Sequence, residues 1–537
     1  MQPVLNVEDV KRVEVALTRV GISVSELMHR AGIAVAQETL EMGDVSNVVV
    51  LAGMGNNGGD GWVAAEALRS RGLNVKVVTP IDPDQISGDL ARQVAQSALR
   101  AGVSMLVGPS RDELEALLAT TDVVIDAMLG TGFHGDVRPP FDIWIDCLNA
   151  SGAPVVSVDV PSGLSAQTGH AGSSCVQADM TVTMIAVKPG LLSDEGRDMC
   201  GSIVCEPLAE QTDRLVVDAD PVAWRTDLED YTAVMLPPTL AVDKYARGSV
   251  LVVGGSSRYP GAAIMAARAA ARAGAGYVTL AVPAAVVPVV QAHMMEIPVV
   301  GLPCDSEGVF TNEARVMAQK LAAKNSATLV GPGMGVTSGS VSVVSGLLSE
   351  DVPLVVDADG LNCLARLTSG RLYEFPELLR RDKPLVLTPH RRELARLVNR
   401  SDNPPDSLVD QLESARKVIW EVGGSELCIV TKGTATGCVG VDQAVLPKPG
   451  PAALATAGSG DVLAGLMVSQ LAQKVGKVDD LPMLCALACE IHGYAGALAA
   501  ERYGSRGVMA GDVIEVLGIA TDAVEELAAG QVEDDEE

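Results

Sequence analysis

The chain has 537 residues, 48% of them apolar but only 3% aromatic, and a formal net charge of −28. That length is too great for one hydrophobic core, so two or more domains are expected, built from Ala, Val, Leu and Gly in α/β layers. The acidity argues against a nucleic-acid partner, which needs a basic face to displace counterions, but allows an anionic small ligand held by backbone N–H groups at a helix N-terminus.

The opening segment, "MQPVLNVEDVKRVEV", is charged and lacks the apolar stretch of a signal peptide. No run approaches the length of a charge-free membrane span, so a cytoplasmic protein with no membrane partner is expected. The ten cysteines form no C-x-x-C pair, which argues against both a zinc cage and a disulfide scaffold. Cys485 and Cys489, one helical turn apart, read as buried thiols.

The first half alternates β-branched runs with helical stretches. Residues 47–53, 74–80, 122–129, 154–163 and 180–188 read as strands. "GWVAAEALRSRG" and "GDLARQVAQSALRAG" have helical periodicity and end near glycine. Near-continuous apolar strands between helices predict a parallel sheet covered on both faces.

The first strand runs into "GMGNNGGDGW". Gly53, Gly55 and Gly58 match the spacing of a dinucleotide loop, and a helix is expected to start at Gly61. A tight turn without a ligand would also explain the glycines. A dehydrogenase would need an acidic residue about 20 positions further on, and Asp82 stands roughly there. Against it, Asn56, Asn57 and Asp60 place side-chain oxygens where such a loop is lined by bare backbone N–H, which suits a hard cation or a hydroxylated ligand better. Two further strand ends should meet the same edge. One is "DAMLGTGFHGD" with Asp126, the other "VDVPSG" with Asp159 and Ser162. Each Asp could merely cap a turn; three such ends in one domain favour a site.

"NNGGDG", "DAMLGTGFHG" and "VDVPSG", in this order, resemble the NAD(P)H-hydrate epimerase domain, the YjeF N-terminal family, over residues 5–210. The resemblance implies a Rossmann-like three-layer fold that interconverts the R and S epimers of hydrated NAD(P)H. It implies that Asn56, Asn57, Gly58, Gly59, Asp60, Gly130, Thr131, Gly132, Phe133, His134, Gly135, Asp136 and Asp159 contact the hydrated nucleotide. It also implies that Asn57, Asp126 and Ser162 hold a potassium ion. Asp159 is the expected proton-transfer residue, since epimerisation at a carbon bearing hydroxyl and ring nitrogen needs proton transfer at each stage. His29 stands where the family usually has Glu and receives no role.

The alternation fades over residues 216–238, read as a linker between a first domain at 1–215 and a second at 239–530, with an acidic tail at 531–537. The second series has strands at 248–256, 277–283, 327–333, 353–360, 384–390 and 427–434, then a long helical region from Asp461. "ALATAGSGDVLAGL" is its sharpest motif. Gly458, Ser459 and Gly460 should form an anion cradle at a helix N-terminus, with Asp461 placed to take a proton from a hydroxyl attacking a phosphoryl group. A capped helix with an acidic first turn is the plainer reading. No G-x-x-x-x-G-K-[ST] occurs, so a P-loop is excluded.

This motif, with "GPGMG", "DADGLN", "TPHRRELARL" and "TKGTATGCV", resembles the NAD(P)H-hydrate dehydratase branch of the ribokinase-like superfamily over residues 240–520. That implies phosphorylation of the hydrate's hydroxyl at the expense of ADP or ATP with Mg²⁺, then loss of phosphate. Asp461 would be the base, and Lys432, Gly433, Thr434, Ala435, Thr436 and Gly460 would bind the nucleotide. Ala263, Gly333 or Gly335, and His390 would contact the hydrate. The chain reads "PKPGPAALAT" where the family often has Asn-Pro-Gly. Both halves resemble domains that form homo-oligomers. The rival readings are a small-alcohol kinase of the hydroxymethylpyrimidine or hydroxyethylthiazole type fused to a dinucleotide-binding domain, and a non-catalytic scaffold or RNA-associated first domain.

Overall fold

A computed structural model describes residues 1–235, 244–424, 426–474 and 480–536. Its contacts divide the chain into two compact units. One holds residues 2–222 with 407–409, the other 223–406 and 410–537 with Met1.

In the first unit a short strand, β1 (Gln2–Val4), precedes a parallel sheet. The sheet comprises β2 (Asn47–Ala52), β3 (Asn74–Thr79), β4 (Ser104–Val107), β5 (Val123–Ala127), β6 (Val155–Val158), β7 (Met180–Met184) and β8 (Ser202–Glu206), in the order β4-β3-β2-β5-β6-β7-β8. Side chains alternate across a strand, and here both faces are covered. Val48 and Val50 pack with Trp62 and Leu68 on one side, while Val49 and Leu51 pack with Trp144 and Leu148 on the other. The reversal of strand order between β2 and β5 opens a crevice at their carboxyl ends, where open α/β sheets bind ligands.

The helix after β2 spans Asn56–Ser70, five residues earlier than the sequence suggests. Glycine weakens helices, yet here it is the only residue that fits. A Cβ on Gly58 would lie 2.0 Å from the Gly53 carbonyl oxygen, and one on Gly61 would lie 2.5 Å from Cβ of Ala127. The Asn-Asn-Gly-Gly-Asp segment is thus the start of a helix, not a loop.

In the second unit the strands are β9 (Ala223–Arg225), β10 (Ser249–Val253), β11 (Tyr277–Pro283), β12 (Val299–Leu302), β13 (Ala327–Val330), β14 (Leu354–Val356), β15 (Leu385–Leu387), β16 (Leu427–Thr431), β17 (Gly437–Val439) and β18 (Ala444–Leu446). They run in the order β9-β18-β17-β16-β15-β14-β13-β10-β11-β12. The stretch from β16 through β13 to β12 is parallel, and β17 is antiparallel to both neighbours. The helices Pro260–Arg272 and Ser459–Gln473 lie so close that a Cβ on Gly465 would be 2.3 Å from the Ala266 carbonyl oxygen. A core this rich in Ala and Gly needs few aromatics.

The expected linker differs from what is found. Thr212–Asp218 is helical, β9 pairs with β18, and Tyr231 is fully buried in the second unit's core. A lone Trp and Tyr among Asp and Pro show no period, but they need only one strand pairing and one pocket to be held. The expected end of the linker and the start of the second domain at 239 lie outside the described residues, as does the last residue of the acidic tail. The helix Leu481–Tyr503 is apolar and long enough to cross a membrane by length and composition. It carries Glu490, and its Cys485, Ala488 and Ile491 are buried in the unit's core with Cys489.

Candidate functional sites

At the carboxyl edge of the first sheet lies a cavity of about 1080 Å³. The predicted contacts Asn56, Asn57, Asp60, Gly130, Thr131, Gly132, Phe133, His134, Asp136 and Asp159 all line it. Gly58 and Gly59 do not: they are buried, and a Cβ on Gly59 would meet the Met28 thioether at 2.8 Å. Gly135, with φ +84°, turns the loop instead of walling the cavity.

Asp159 follows β6 in the left-handed backbone region, φ +65°, at a cost of about 1–2 kcal/mol for a residue with a Cβ. Its carboxylate is ion-paired with Lys188, whose side chain is 1% exposed. That ammonium also donates to Thr183 Oγ1 at 2.9 Å and to the Met184 carbonyl at 2.8 Å. Asp159 further accepts from Thr183 Oγ1 and from the Met184 N–H, both at 3.2 Å. Sequence reasoning missed Lys188. A lysine ending an apolar strand run, "MTVTMIAVK", was the available signal, because a buried lysine needs a carboxylate. Asp60 is pushed well above the usual carboxylate range by burial, then by the charges of Asp159 and Glu14. Burial and Asp159 also raise Glu14, a cavity residue that no motif marked.

Behind the cavity wall, Asp126 is fully buried. Ser162 Oγ donates to it at 2.6 Å, Ser162 N–H at 2.8 Å and Ser157 Oγ at 2.9 Å. Burial raises its pKa while those hydrogen bonds pull it down. The Leu129 N–H donates to Ser162 Oγ at 2.9 Å, and the Leu129 carbonyl accepts from Asn57 Nδ2 at 3.0 Å. Leu129 therefore ties together the three residues expected to hold potassium. Asp126 is thus a buried acid whose hydrogen bonds come from neutral hydroxyl and amide groups, with no cationic side chain bonded to it among the described residues.

In the second unit, adjacent parallel strands deliver the site to one edge. Gly333 and Gly335 follow β13, Asp357 follows β14, His390 follows β15 and Lys432 follows β16. Lys432 Nζ lies 2.6 Å from Asp357 Oδ1, which also accepts from Thr388 Oγ1 at 2.6 Å. Asp357 came from the "DADGLN" motif without a role. Lys432 was expected to serve the nucleotide; its ammonium also neutralises this acid. Gly433 to Thr436 form the turn from β16 into β17, closed by Thr436 Oγ1 donating to the Gly433 carbonyl at 3.2 Å. Gly333 is at φ +63° beside the Tyr259 carbonyl, and the Gly335 N–H donates to Asp359 at 2.8 Å. Ala263 is fully buried against the Gly254–Gly255 turn.

Gly458, at φ +90°, caps the helix Ser459–Gln473, with Asp461 in the first turn. A Cβ on Gly460 would stand 3.5 Å from Lys432 Nζ, which places the cradle beside that ammonium. Burial first, then Asp357, pushes Asp461 up to about 7, against the pull of Lys432. Ser459 Oγ is 3.3 Å from Nε2 of the buried His492, whose pKa burial lowers to about 4.

His390, expected to contact the hydrate, caps the helix Arg391–Leu397. Its Nδ1 accepts from the N–H groups of Arg392 and Glu393 at 3.1 and 3.3 Å. Glu393 accepts from the His390 N–H at 3.0 Å. Its Nε2 lies 3.5 Å from Glu393 Oε1.

Two strand-edge sites, one in each α/β unit and each built around an acid beside a lysine, define a two-domain enzyme of nucleotide chemistry. A family described as YjeF-related protein N-terminus matches residues 24–190, and one described as NAD(P)H-hydrate dehydratase matches residues 250–518. A bifunctional NAD(P)H-hydrate repair enzyme of Salinibacter ruber is 36% identical over 503 residues, 88% of this chain and 86% of that protein. That of Escherichia coli is 31% identical over 517 residues, 95% of this chain and 92% of that protein. Among solved structures, the ADP/ATP-dependent NAD(P)H-hydrate dehydratase from Bacillus subtilis is 23% identical with a TM-score of 0.45, covering 56% of this chain and 99% of that one. The chain belongs to the family of bifunctional NAD(P)H-hydrate repair enzymes.

Proposed function

We propose that the two activities divide between the two units, the first epimerising hydrated NADH and NADPH and the second dehydrating the S epimer. The chain is a bifunctional NAD(P)H-hydrate repair enzyme, and the observation that carries the division is the separate acid–lysine pair at each sheet edge. In the first unit, Asp159 moves the proton while the glycine loop Gly130–Gly132 and the Asn56–Asp60 turn grip the nucleotide. Asn57, Asp126 and Ser162 would hold potassium, which supplies a fixed positive charge next to the cavity.

In the second unit, the hydrate's hydroxyl attacks the terminal phosphoryl group of ADP or ATP and Asp461 takes its proton. Phosphate then leaves with the C–O electron pair, and the double bond reforms as a neighbouring C–H proton is lost. The Gly458–Gly460 backbone and Lys432 stabilise phosphoryl charge. Magnesium would be held largely through the substrate phosphates and its own waters, and would offset phosphoryl charge there.

The test uses the whole protein with a mixed R/S hydrate, ADP and Mg²⁺, following recovery of the reduced-nicotinamide absorbance. The wild type should convert the whole mixture. Asp159→Ala should convert the S fraction at the normal rate, then slow to the uncatalysed epimerisation. If that variant consumed both epimers as the wild type does, the assignment of epimerisation to the first unit would be wrong. If a phosphorylated alcohol accumulated instead, with no nicotinamide recovered, the small-alcohol kinase reading would replace it.

A further inference from the structure

We propose that Asp60 is the catalytic acid of the epimerase, acting in the same cavity as the Asp159 carboxylate that Lys188 holds in place. The proposal rests on the epimerase reading of the first unit and assigns that reaction its second proton-transfer group.

The cavity brings carboxyl groups together with unequal company. Asp159 enters from the turn after β6 with Lys188 paired to it. Asp60 enters from the second turn of the helix Asn56–Ser70 and makes no side-chain hydrogen bond or ion pair among the described residues. The ammonium of Lys188 is already shared among Asp159, Thr183 and Met184, so it has no proton left for Asp60. The other ionisable groups facing the cavity are Lys11 and Glu14 from the helix Val7–Arg19, and His134, Asp136 and Arg138 from the loop after β5. Those that act on Asp60 are Asp159 and Glu14, both acidic, and burial works in the same direction. Neighbouring carboxyl groups without a shared cation do not all ionise; one keeps its proton. The cavity leaves Asp60 among acids and gives Asp159 an ammonium partner, which divides the acid and base roles between them.

The chemistry needs one of each. The hydrate carbon carries a hydroxyl and the ring nitrogen. Asp159 takes the hydroxyl proton, and the O–H electron pair becomes the π bond of a carbonyl. The C–N bond breaks, its electron pair stays on nitrogen, and Asp60 gives that nitrogen a proton. The open aldehyde turns its other face to the nitrogen. Asp60 then takes the N–H proton back as the C–N bond re-forms, and Asp159 returns its proton to oxygen. Nothing is oxidised, and both acids end as they began.

The experiment uses the full-length protein, the purified R epimer of hydrated NADH, and no ADP, so that the second site is idle. Conversion to the S epimer is followed by chromatography across the neutral and alkaline range, with the uncatalysed rate subtracted. The wild-type kcat should fall on the alkaline side as Asp60 ionises. Asp60→Asn keeps the shape but has no acid proton; kcat should drop about 10²–10⁴-fold, KM should stay within a few-fold, and the alkaline limb should disappear. Asp60→Glu keeps an acid and should keep the limb. An Asp60→Asn variant within a few-fold of wild-type kcat overturns the proposal, as does a wild-type rate that stays level through the alkaline range. Should Asp60→Asn fail to bind the hydrate, the wild-type and Asp60→Glu profiles decide. A wild-type protein that does not interconvert the epimers refutes the epimerase reading itself, and the choice of acid with it.

Discussion

The ammonium of Lys432 lies 2.6 Å from Asp357 Oδ1 and close enough to Glu393 and Asp461 for each charge to shift the others. The Asp357 side chain is 2% exposed and that of Lys432 19%. Removing one partner of such a pair leaves an uncompensated buried charge, at a cost of about 3–5 kcal/mol. Lys432→Met should therefore lower the unfolding temperature of the second unit by several degrees, read by calorimetry. Adding Asp357→Asn should recover much of the loss; no recovery in the double variant would show that the pair contributes only packing.

Asp461 must be ionised to accept a proton, and burial with Asp357 places its pKa at about 7. Dehydratase kcat should therefore rise with pH through neutrality and level off above it. Asp461→Asn should lower kcat by about 10²–10⁴-fold, the usual effect of losing a general base. ADP affinity by titration should change little, because the backbone cradle and the Gly433–Thr436 turn remain. A variant near wild-type turnover would assign the base to another group.

Asp126 lies at the junction of Asn57, Leu129 and Ser162. Epimerase activity should depend on potassium and fall when only large organic cations are present. Asp126→Ala should lose that dependence along with most of the activity, while the dehydratase keeps its rate on the S epimer. Equal epimerisation in either salt would rule out the potassium assignment.

A methyl group on Gly58 would stand 2.0 Å from the Gly53 carbonyl oxygen, and neither backbone can yield without moving the strand end or the helix start. Overpacking of this kind costs about 1–3 kcal/mol. Gly58→Ala should therefore destabilise the first unit and abolish epimerisation, with the dehydratase rate on the S epimer as the control. Full epimerase activity in this variant would mean that the Asn56–Asp60 turn has freedom to relax.

Much of this was legible in the sequence because the central strands are apolar and parallel. Val48–Leu51 and Val250–Val253 declare themselves by composition. The edge strand Ser104–Val107 does not, since it is largely exposed and carries a serine and no long apolar run. Three-residue strands such as Gly437–Val439 and Ala444–Leu446 are too short for any period. The start of the helix at Asn56 was hidden because glycine propensity argues for a loop, while the deciding factor was a tertiary contact with Gly53. Lys188 and Asp159 stand 29 positions apart on different strand ends, and only the order of the sheet makes them neighbours. The capping role of His390 was hidden because a cap depends on where its helix begins, and Arg391–Leu397 is only about two turns long.

The helix Asn56–Ser70 is capped by Gly55, which has no side chain to accept from the amides of the first turn. A helix start left without a capping side chain can take an anionic group of the hydrated nucleotide there instead. Binding would then finish the hydrogen bonding of this helix, and the chain would register its substrate as a gain in local order. Hydrogen–deuterium exchange should show this as slowed uptake at Asn56 and Asn57, which line the cavity, when hydrate is added.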